Sequence, residues 1–178
     1  MMQALGAALR WTLFTAAMAA ATHFATLIVV PGLLMAQAMA NAQSGVGVNA
    51  MAFPARGDGH GLASARRELL IATCVFNLSQ NAVSLSIPIP GTGNWSVTMY
   101  GEDARPFFFD QTRPGEDRML NAVLVEPGGA APELGKTTLI KAPSFTGLVV
   151  IRSLIENPQS LAENDRVRHQ ASCQAIPR

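Results

Sequence analysis

The sequence predicts a mainly β protein. It has an N-terminal single transmembrane α-helix, a Gly/Ala-rich linker, and a small antiparallel β-sandwich or jelly-roll-like domain with a C-terminal helix. Three features support this prediction. Residues 11–55 contain no Asp, Glu, Lys or Arg. Short stretches with alternating apolar and polar residues then recur between turn residues, and a helix-capping pattern follows them. The predicted division is 1–40 for the anchor, 41–61 for the linker and 62–178 for the β domain.

The uncharged segment is long enough to cross a membrane. Trp11 to Val30 supplies the roughly 20 apolar residues that a transmembrane helix needs, and Pro31 follows where the helix is expected to bend or leave the bilayer. Arg10 and the α-amino group precede the span, and the next cation is Arg56. Because positive charge favours the cytoplasmic side, we expect a single-pass protein of the bacterial inner membrane, with a cytoplasmic N terminus and a periplasmic C-terminal domain.

A cleaved signal peptide is the alternative interpretation of this segment. Small residues stand at the spacing that signal peptidases accept before Asn41 and before Gln43. The apolar run, however, is about twice the 7–15 residues of a usual signal-peptide core. The sequence therefore favours a retained anchor, and either alternative exports the same domain.

The β domain is predicted from short strands between turns. Val83, Leu85, Ile87 and Ile89 alternate with serines and a proline, which is typical of a strand with one buried face. The GTGN turn at 91–94 then predicts a hairpin with the following strand, and the last strand is expected to be central. The strands are predicted at 73–78, 83–89, 95–99, 105–110, 119–125, 137–141 and 145–155, with a short helix before the first of them, after Gly61.

A helix is predicted to close the chain. Asn157 is a good N-cap residue and Pro158 suits the first helical position. Leu161, Val167 and Ala171 are expected to form its apolar face.

The two cysteines, Cys74 and Cys173, lie far apart in the sequence. An even number of cysteines in an exported domain favours a disulfide, which we expect to tie the terminal helix to the sheet. The alternative is two unpaired thiols. The spacing is neither a redox motif nor a metal site.

The chain resembles the DUF1254 group, small bacterial proteins of unknown function with an N-terminal membrane helix and a periplasmic domain. The resemblance rests on His23 followed by Pro31, on CVFNLSQNAVSLSIPIPGTGNWSVTMYGEDARPFFF at 74–109, and on KAPSFTGLVVIRSLI at 141–155, followed by a helix ending near Cys173. Phe76 and Asn77 replace the Tyr and Asp of the group's pattern, so no role of that Asp carries over. The resemblance implies a jelly-roll-like fold and no established activity.

Charge and motifs argue against several function classes. Residues 61–178 carry 11 Lys and Arg against 11 Asp and Glu, without a basic stripe, which argues against nucleic acid as a partner. The sequence contains no nucleophile elbow, phosphate loop or His-Glu metal motif. We therefore expect no catalytic residues, no cofactor site and no metal site. Aromatic residues at 95, 100 and 107–109 are interpreted as core rather than as a ligand groove.

The membrane segment itself carries the most informative residues. His23 stands near mid-bilayer, where ionisable groups usually face a protein partner or a cavity. Haem or chlorophyll ligation through His23 is a minor alternative, since one helix offers one ligand. Ala17, Ala21 and Ala25 recur every four residues, a spacing that allows close helix packing. Together with His23 they are the predicted helix-packing residues.

These features favour an accessory subunit of an inner-membrane protein complex, with integral membrane subunits as partners of the helix. A membrane-tethered periplasmic ligand-binding module is the second hypothesis. An enzyme is the third, and no group of residues supports it.

Overall fold

The computed structural model describes residues 2–55, 68–129 and 137–177. Within these residues a long N-terminal helix is followed by eight strands, a second helix and a ninth strand, which confirms the predicted mainly β fold with an N-terminal helix and a second helix near the C terminus. The elements are α1 (Met2–Ala42), β1 (Met51–Ala52), β2 (Leu69–Asn77), β3 (Ala82–Ile89), β4 (Trp95–Gly101), β5 (Pro106–Gln111), β6 (Arg118–Val125), β7 (Thr138–Lys141), β8 (Thr146–Leu154), α2 (Pro158–Arg168) and β9 (Ser172–Ile176).

The strands form two sheets that face each other. Sheet A has the order β1-β2-β8-β4-β5, and sheet B has the order β7-β6-β3-β9. All neighbours are antiparallel except β6 and β7, which are parallel. The β8 strand pairs with β2 from Leu69–Leu154 to Asn77–Thr146 and with β4 on its other edge. The prediction that the last apolar strand of the pattern is central is therefore correct.

The predicted hairpin of β3 with β4 is wrong. These strands lie in different sheets: β3 pairs with β6 and β9, whereas β4 pairs with β5 and β8. The loop between them packs against the next turn, since the Gly91 amide donates to Asp117 Oδ1 at 2.7 Å and the Gly115 amide donates to the Gly91 carbonyl at 2.9 Å. The alternation shows that a strand has a buried face, but it does not identify the strand's partner.

The main core lies between the two sheets. The alternating apolar residues of β3 point inward with Ala72, Phe76, Val97, Met99 and Ile151, all nearly inaccessible to solvent. Gly147 of β8 permits this packing, because a Cβ there would meet the Tyr100 carbonyl oxygen and the Phe76 ring.

The C-terminal helix begins as predicted and ends early. The Asn157 side chain accepts from the Ser160 amide at 2.8 Å, and Pro158 is the first helical residue. The helix ends at Arg168, so the expectation that it carries Ala171 and reaches Cys173 is wrong. Residues 172–176 form β9 instead, since pairing with β3 satisfies their backbone groups.

Part of the segment predicted as a linker contacts the domain. β1 pairs with β2, and the Asn49 side chain exchanges hydrogen bonds with the backbone of Asn77 at 2.7 and 3.1 Å. The start of the short helix predicted after Gly61 lies outside the described residues, and from Leu69 the chain already forms β2 in place of that helix.

Candidate functional site

The last turns of α1 pack on the outer face of sheet A. Met35 is 5% exposed, and it forms a second apolar cluster with four residues of β2 and β8, supported by Met39 and Ala42 from the same side of the helix. The four residues are Ile71, Val75, Leu148 and Val150. We call residues 31–42 the docked segment.

The preceding part of α1 projects away from the domain. Every residue from 8 to 30 is exposed, including Trp11, Phe14, Phe24 and Ile28. We call residues 8–30 the free segment, which at 1.5 Å per residue measures about 35 Å, slightly more than a hydrocarbon core. Within the described residues, Gly6–Ala42, whose most apolar 18-residue window has a mean hydropathy of 1.9, is the one stretch long and apolar enough to cross a membrane.

Pro31 lies inside α1 at the boundary between the two segments. The helix continues through it to Ala42 and does not end there. Because proline has no amide hydrogen, one backbone carbonyl of the preceding turn lacks its usual donor. Pro31 therefore marks a change of environment within one helix, from the exposed free segment to the docked segment, and the bend or exit from the bilayer at this residue stays a prediction.

The predicted helix-packing residues do not share one side of α1. At 100° per residue, His23 lies about 200° around the helix from Ala21. Ala17 and Ala25 flank Ala21 within about 40° on either side. The three alanines and His23 therefore occupy opposite sides of the free segment.

A disulfide closes one side of the sandwich. Cys74 of β2 and Cys173 of β9 are bonded, with their Cα atoms 6.4 Å apart and a sequence separation of 99. Both are buried. Because β2 belongs to sheet A and β9 to sheet B, the bond joins the two sheets, and the expectation that it ties the terminal helix to a sheet is wrong. We call this the bridged side.

An ion pair closes the opposite side. Arg118 of β6 and Asp110 of β5 meet across the gap between the sheets, with Nη2 2.6 Å from Oδ1, and Nη2 also donates to the Gln111 carbonyl at 2.7 Å. Their side chains are 17% and 16% exposed. The hydrogen bond from Arg118 lowers the pKa of the Asp110 carboxyl against the opposing effect of burial, and Asp110 raises the pKa of Arg118. We call this the ion-pair side.

Two open clefts flank Arg118. One, of about 460 Å³, lies between α2 and the ends of β3 and β4; the other, of about 400 Å³, lies over β5, β6 and β7. Arg118 and Met119 line both, and Phe109 is 60% exposed beside the second. Arg118 Nε is buried and has no hydrogen-bond partner among the described residues.

The chemistry of the clefts is mixed. Asp117, Glu163 and Arg166 stand around the first, and Asp110 and Arg113 around the second, so neither carries a strong charge of one sign. In the described part of the chain no three His, Cys, Asp or Glu side chains converge as metal ligands. The arrangement suits a neutral or mixed-charge ligand better than a metal ion.

The aromatic residues divide between core and surface. Trp95 is buried in the main core, and Phe107 meets Phe76 edge to face at 6.2 Å between ring centroids. Tyr100 lies beside the docked segment. Phe109 is exposed.

Arg168 is a structural residue that the sequence does not single out. It is 6% exposed and joins α2 to the domain, donating from Nη1 to the Ile71 carbonyl at 2.7 Å and from Nε to Asp165 Oδ1 at 2.6 Å. His169 beside it stacks on Phe53 with ring centroids 4.4 Å apart. An arginine in the last turn of a polar helix is normally exposed, so no local signal identifies this one.

Comparison with known proteins gives a fold and a family. No curated protein matches the chain. The fold is similar to the crystal structure of the VPA0106 protein from Vibrio parahaemolyticus, with a TM-score of 0.61 and 8% identity over 81% of this chain and 37% of that one. An uncharacterised protein from Burkholderia cenocepacia gives a TM-score of 0.45 and 12% identity over 72% of this chain and 34% of that one.

At such low identity the first likeness shows the fold alone, and the chain spans little more than a third of either solved structure. The family evidence is independent of it. The model of DUF1254, described as a protein of unknown function, matches residues 48–175, and the chain therefore belongs to the DUF1254 family.

Proposed function

We propose that this protein is a non-catalytic accessory subunit of an inner-membrane protein complex, in which α1 packs among integral membrane subunits and carries the β domain on the periplasmic side. The observation that carries the proposal is the continuity of α1. One helix supplies both the apolar free segment and the docked segment, so no flexible joint separates the membrane from the domain.

The docked segment supports retention of α1 after export. Signal-peptide cleavage before Asn41 or Gln43 would remove Met35 and Met39 and leave Ile71, Val75, Leu148 and Val150 facing water. An exposed apolar patch of this kind favours aggregation. N-terminal sequencing of the mature protein is expected to give the uncleaved start, and a start at residue 41 or 43 would contradict the anchor.

The length of the free segment supports a position at the membrane surface. A helix about 35 Å long crosses a hydrocarbon core of about 30 Å at a modest tilt, so no part of the free segment is left to separate the domain from the membrane. Gly32, the first residue beyond Pro31, lies against the β4–β5 turn at Glu102. That turn is therefore expected beside the headgroups, where an integral membrane partner would meet it.

Co-purification in a mild detergent tests the proposal. The full chain, tagged at its C terminus, is expected to retain larger membrane subunits in constant ratio. The matched control replaces residues 11–30 by a leucine span of equal length and keeps the docked segment, so that anchoring is preserved and specific packing is lost. Isolation of the wild-type chain without membrane subunits would contradict the proposal, as would equal retention of these subunits by the control.

A ligand-binding module is the second candidate, and the clefts beside Arg118 favour it. The buried Nε of Arg118 is a donor without an acceptor, which a bound carbonyl or hydroxyl oxygen would supply. Thermal-shift screening of the full chain in detergent, repeated with Arg118→Lys, tests it. Ligands that stabilise the wild type and not the variant support binding at this cleft, and a screen without such a ligand counts against it.

A further inference from the structure

The free segment of α1 has one side that differs from the rest. Thr12, Thr15, Ala19, Thr22 and Thr26 are separated alternately by three and four residues. On a helix they fall within about 60° of Ala19, and His23 lies within the same sector. We call these six residues the threonine–histidine stripe. The alternation of three and four is the spacing of a coiled-coil seam.

The stripe contains acceptors and one donor for a neighbouring helix. Each threonine hydroxyl donates to the carbonyl four residues before it, at 2.8–2.9 Å. The hydroxyl oxygens are left only as acceptors. His23 touches the Phe24 ring edge to face and has no hydrogen-bond partner among the described residues. Its ring N–H is therefore a free donor at the depth of Thr22 and Thr26.

The domain leaves the stripe uncovered. Met35 and Met39 follow Ala17 and Ala21 by 18 residues, which is five full turns, so the docked segment and these alanines share one side of α1. The stripe faces the opposite side. A second helix can pack along it without meeting the domain that α1 carries.

We propose that α1 pairs in parallel with α1 of a second copy of this chain through the threonine–histidine stripe, the His23 ring donating to Thr22 or Thr26 of the other copy. The stripe complements itself, because both copies insert in the same direction and present donor and acceptors at matching depths. Ala19 and the short threonines let the backbones approach closely, which drives helix association in lipid. The pairing rests on the retained anchor of the proposed function and leaves the alanine side free for other subunits.

Cysteine cross-linking in native membranes tests the pairing. The only two cysteines of the chain are bonded to each other, so one added cysteine supplies the only free thiol. Ala19→Cys in the stripe is compared with Ala21→Cys, which changes the same residue type at nearly the same depth on the opposite side. Thr15→Cys and Ala17→Cys form a second matched pair.

Oxidation is expected to give a disulfide-linked dimer with Ala19→Cys and Thr15→Cys, and several-fold less with Ala21→Cys and Ala17→Cys. Equal yields at all four positions, a preference for the alanine side, or no dimer at either stripe position would overturn the pairing. A cross-link from the stripe to a different protein would also overturn it. In that case the accessory role stands, since its test is the retention of other subunits.

Variants of His23 test the hydrogen bond in the Ala19→Cys background. His23→Leu removes the donor and is expected to lower the dimerisation constant about threefold for each bond lost, whereas His23→Gln keeps an N–H donor and most of the dimer. Equal loss in both variants would overturn the bond. A Soret absorbance band in the wild type that disappears in both variants would assign His23 to haem instead and overturn it as well.

Discussion

The two sides of the sandwich are closed by different chemistry. On the bridged side a covalent bond between two buried cysteines joins β2 to β9. On the ion-pair side the sheets are held by Arg118 and Asp110, which remain partly exposed and stand between two open clefts. The bridged side cannot separate without breaking a covalent bond, whereas the contact between Arg118 and Asp110 on the ion-pair side is noncovalent. Access to the space between the sheets is therefore expected from the ion-pair side.

Removal of the disulfide should cause the largest loss in the free energy of unfolding. In Cys74→Ala/Cys173→Ala the 99-residue loop is no longer closed, and the chain-entropy model gives a loss of about 4–5 kcal/mol. Urea unfolding of the full chain in detergent, followed by near-ultraviolet circular dichroism, measures it. A loss below about 1 kcal/mol would mean that packing alone closes the bridged side.

Disruption of the ion pair should have an intermediate effect. Asp110→Ala leaves a largely buried guanidinium without its carboxylate, and we expect a loss of about 2 kcal/mol. A double-mutant cycle with Arg118→Ala isolates the coupling between the two side chains. Additive losses in the double variant would show that the pair does not hold this side closed.

Acidification should weaken the ion-pair side selectively. Because the Arg118 hydrogen bond lowers the folded pKa of Asp110 below its ordinary value of 3.8, the contribution of this carboxylate is complete above that value and is lost as the pH falls through the lower folded pKa. The difference in unfolding free energy between wild type and Asp110→Asn should be constant above about pH 5 and should shrink below about pH 4. The same titration in Arg118→Ala is the control, and an unchanged difference at low pH contradicts the assignment.

The smallest coupling free energy is expected for an arginine–carboxylate pair that lies at the surface. Arg113 and Glu116 lie 3.7 Å apart with side chains 62% and 53% exposed. Their double-mutant cycle should give at most about 0.5 kcal/mol, decreasing with added salt. A coupling as large as that of Arg118 and Asp110 would show that burial does not distinguish the two pairs.

Local signals predicted the elements well. The β3 strand was expected at 83–89 and is Ala82–Ile89, and α2 starts at Pro158, after the Asn157 cap. Alternation and capping depend on neighbouring residues, so the sequence shows them directly. β9 was missed because SCQAI has no clear alternation, and its pairing with β3 depends on residues almost 90 positions away.

The candidate sites were less predictable. Apolar composition does not distinguish a helix face in lipid from one against a sheet, so Met35 and Met39 gave no sign of docking. Asp110 and Arg118 form an ion pair because strands of two different sheets face each other at this point. The residues next to each of them in the sequence do not indicate this contact. Helical periodicity alone shows which side of α1 holds His23. The four-residue spacing of the alanines instead predicts packing on the opposite side.

The α1 helix connects the free segment to the domain without a break. Because the docked segment packs on sheet A, a rotation of α1 about its axis in the proposed membrane-anchored state would turn the domain with it. A tilt of the helix is likewise magnified at the far end of the sandwich. In the proposed membrane-anchored state, a change in helix packing would thus be transmitted to the domain as movement of the clefts.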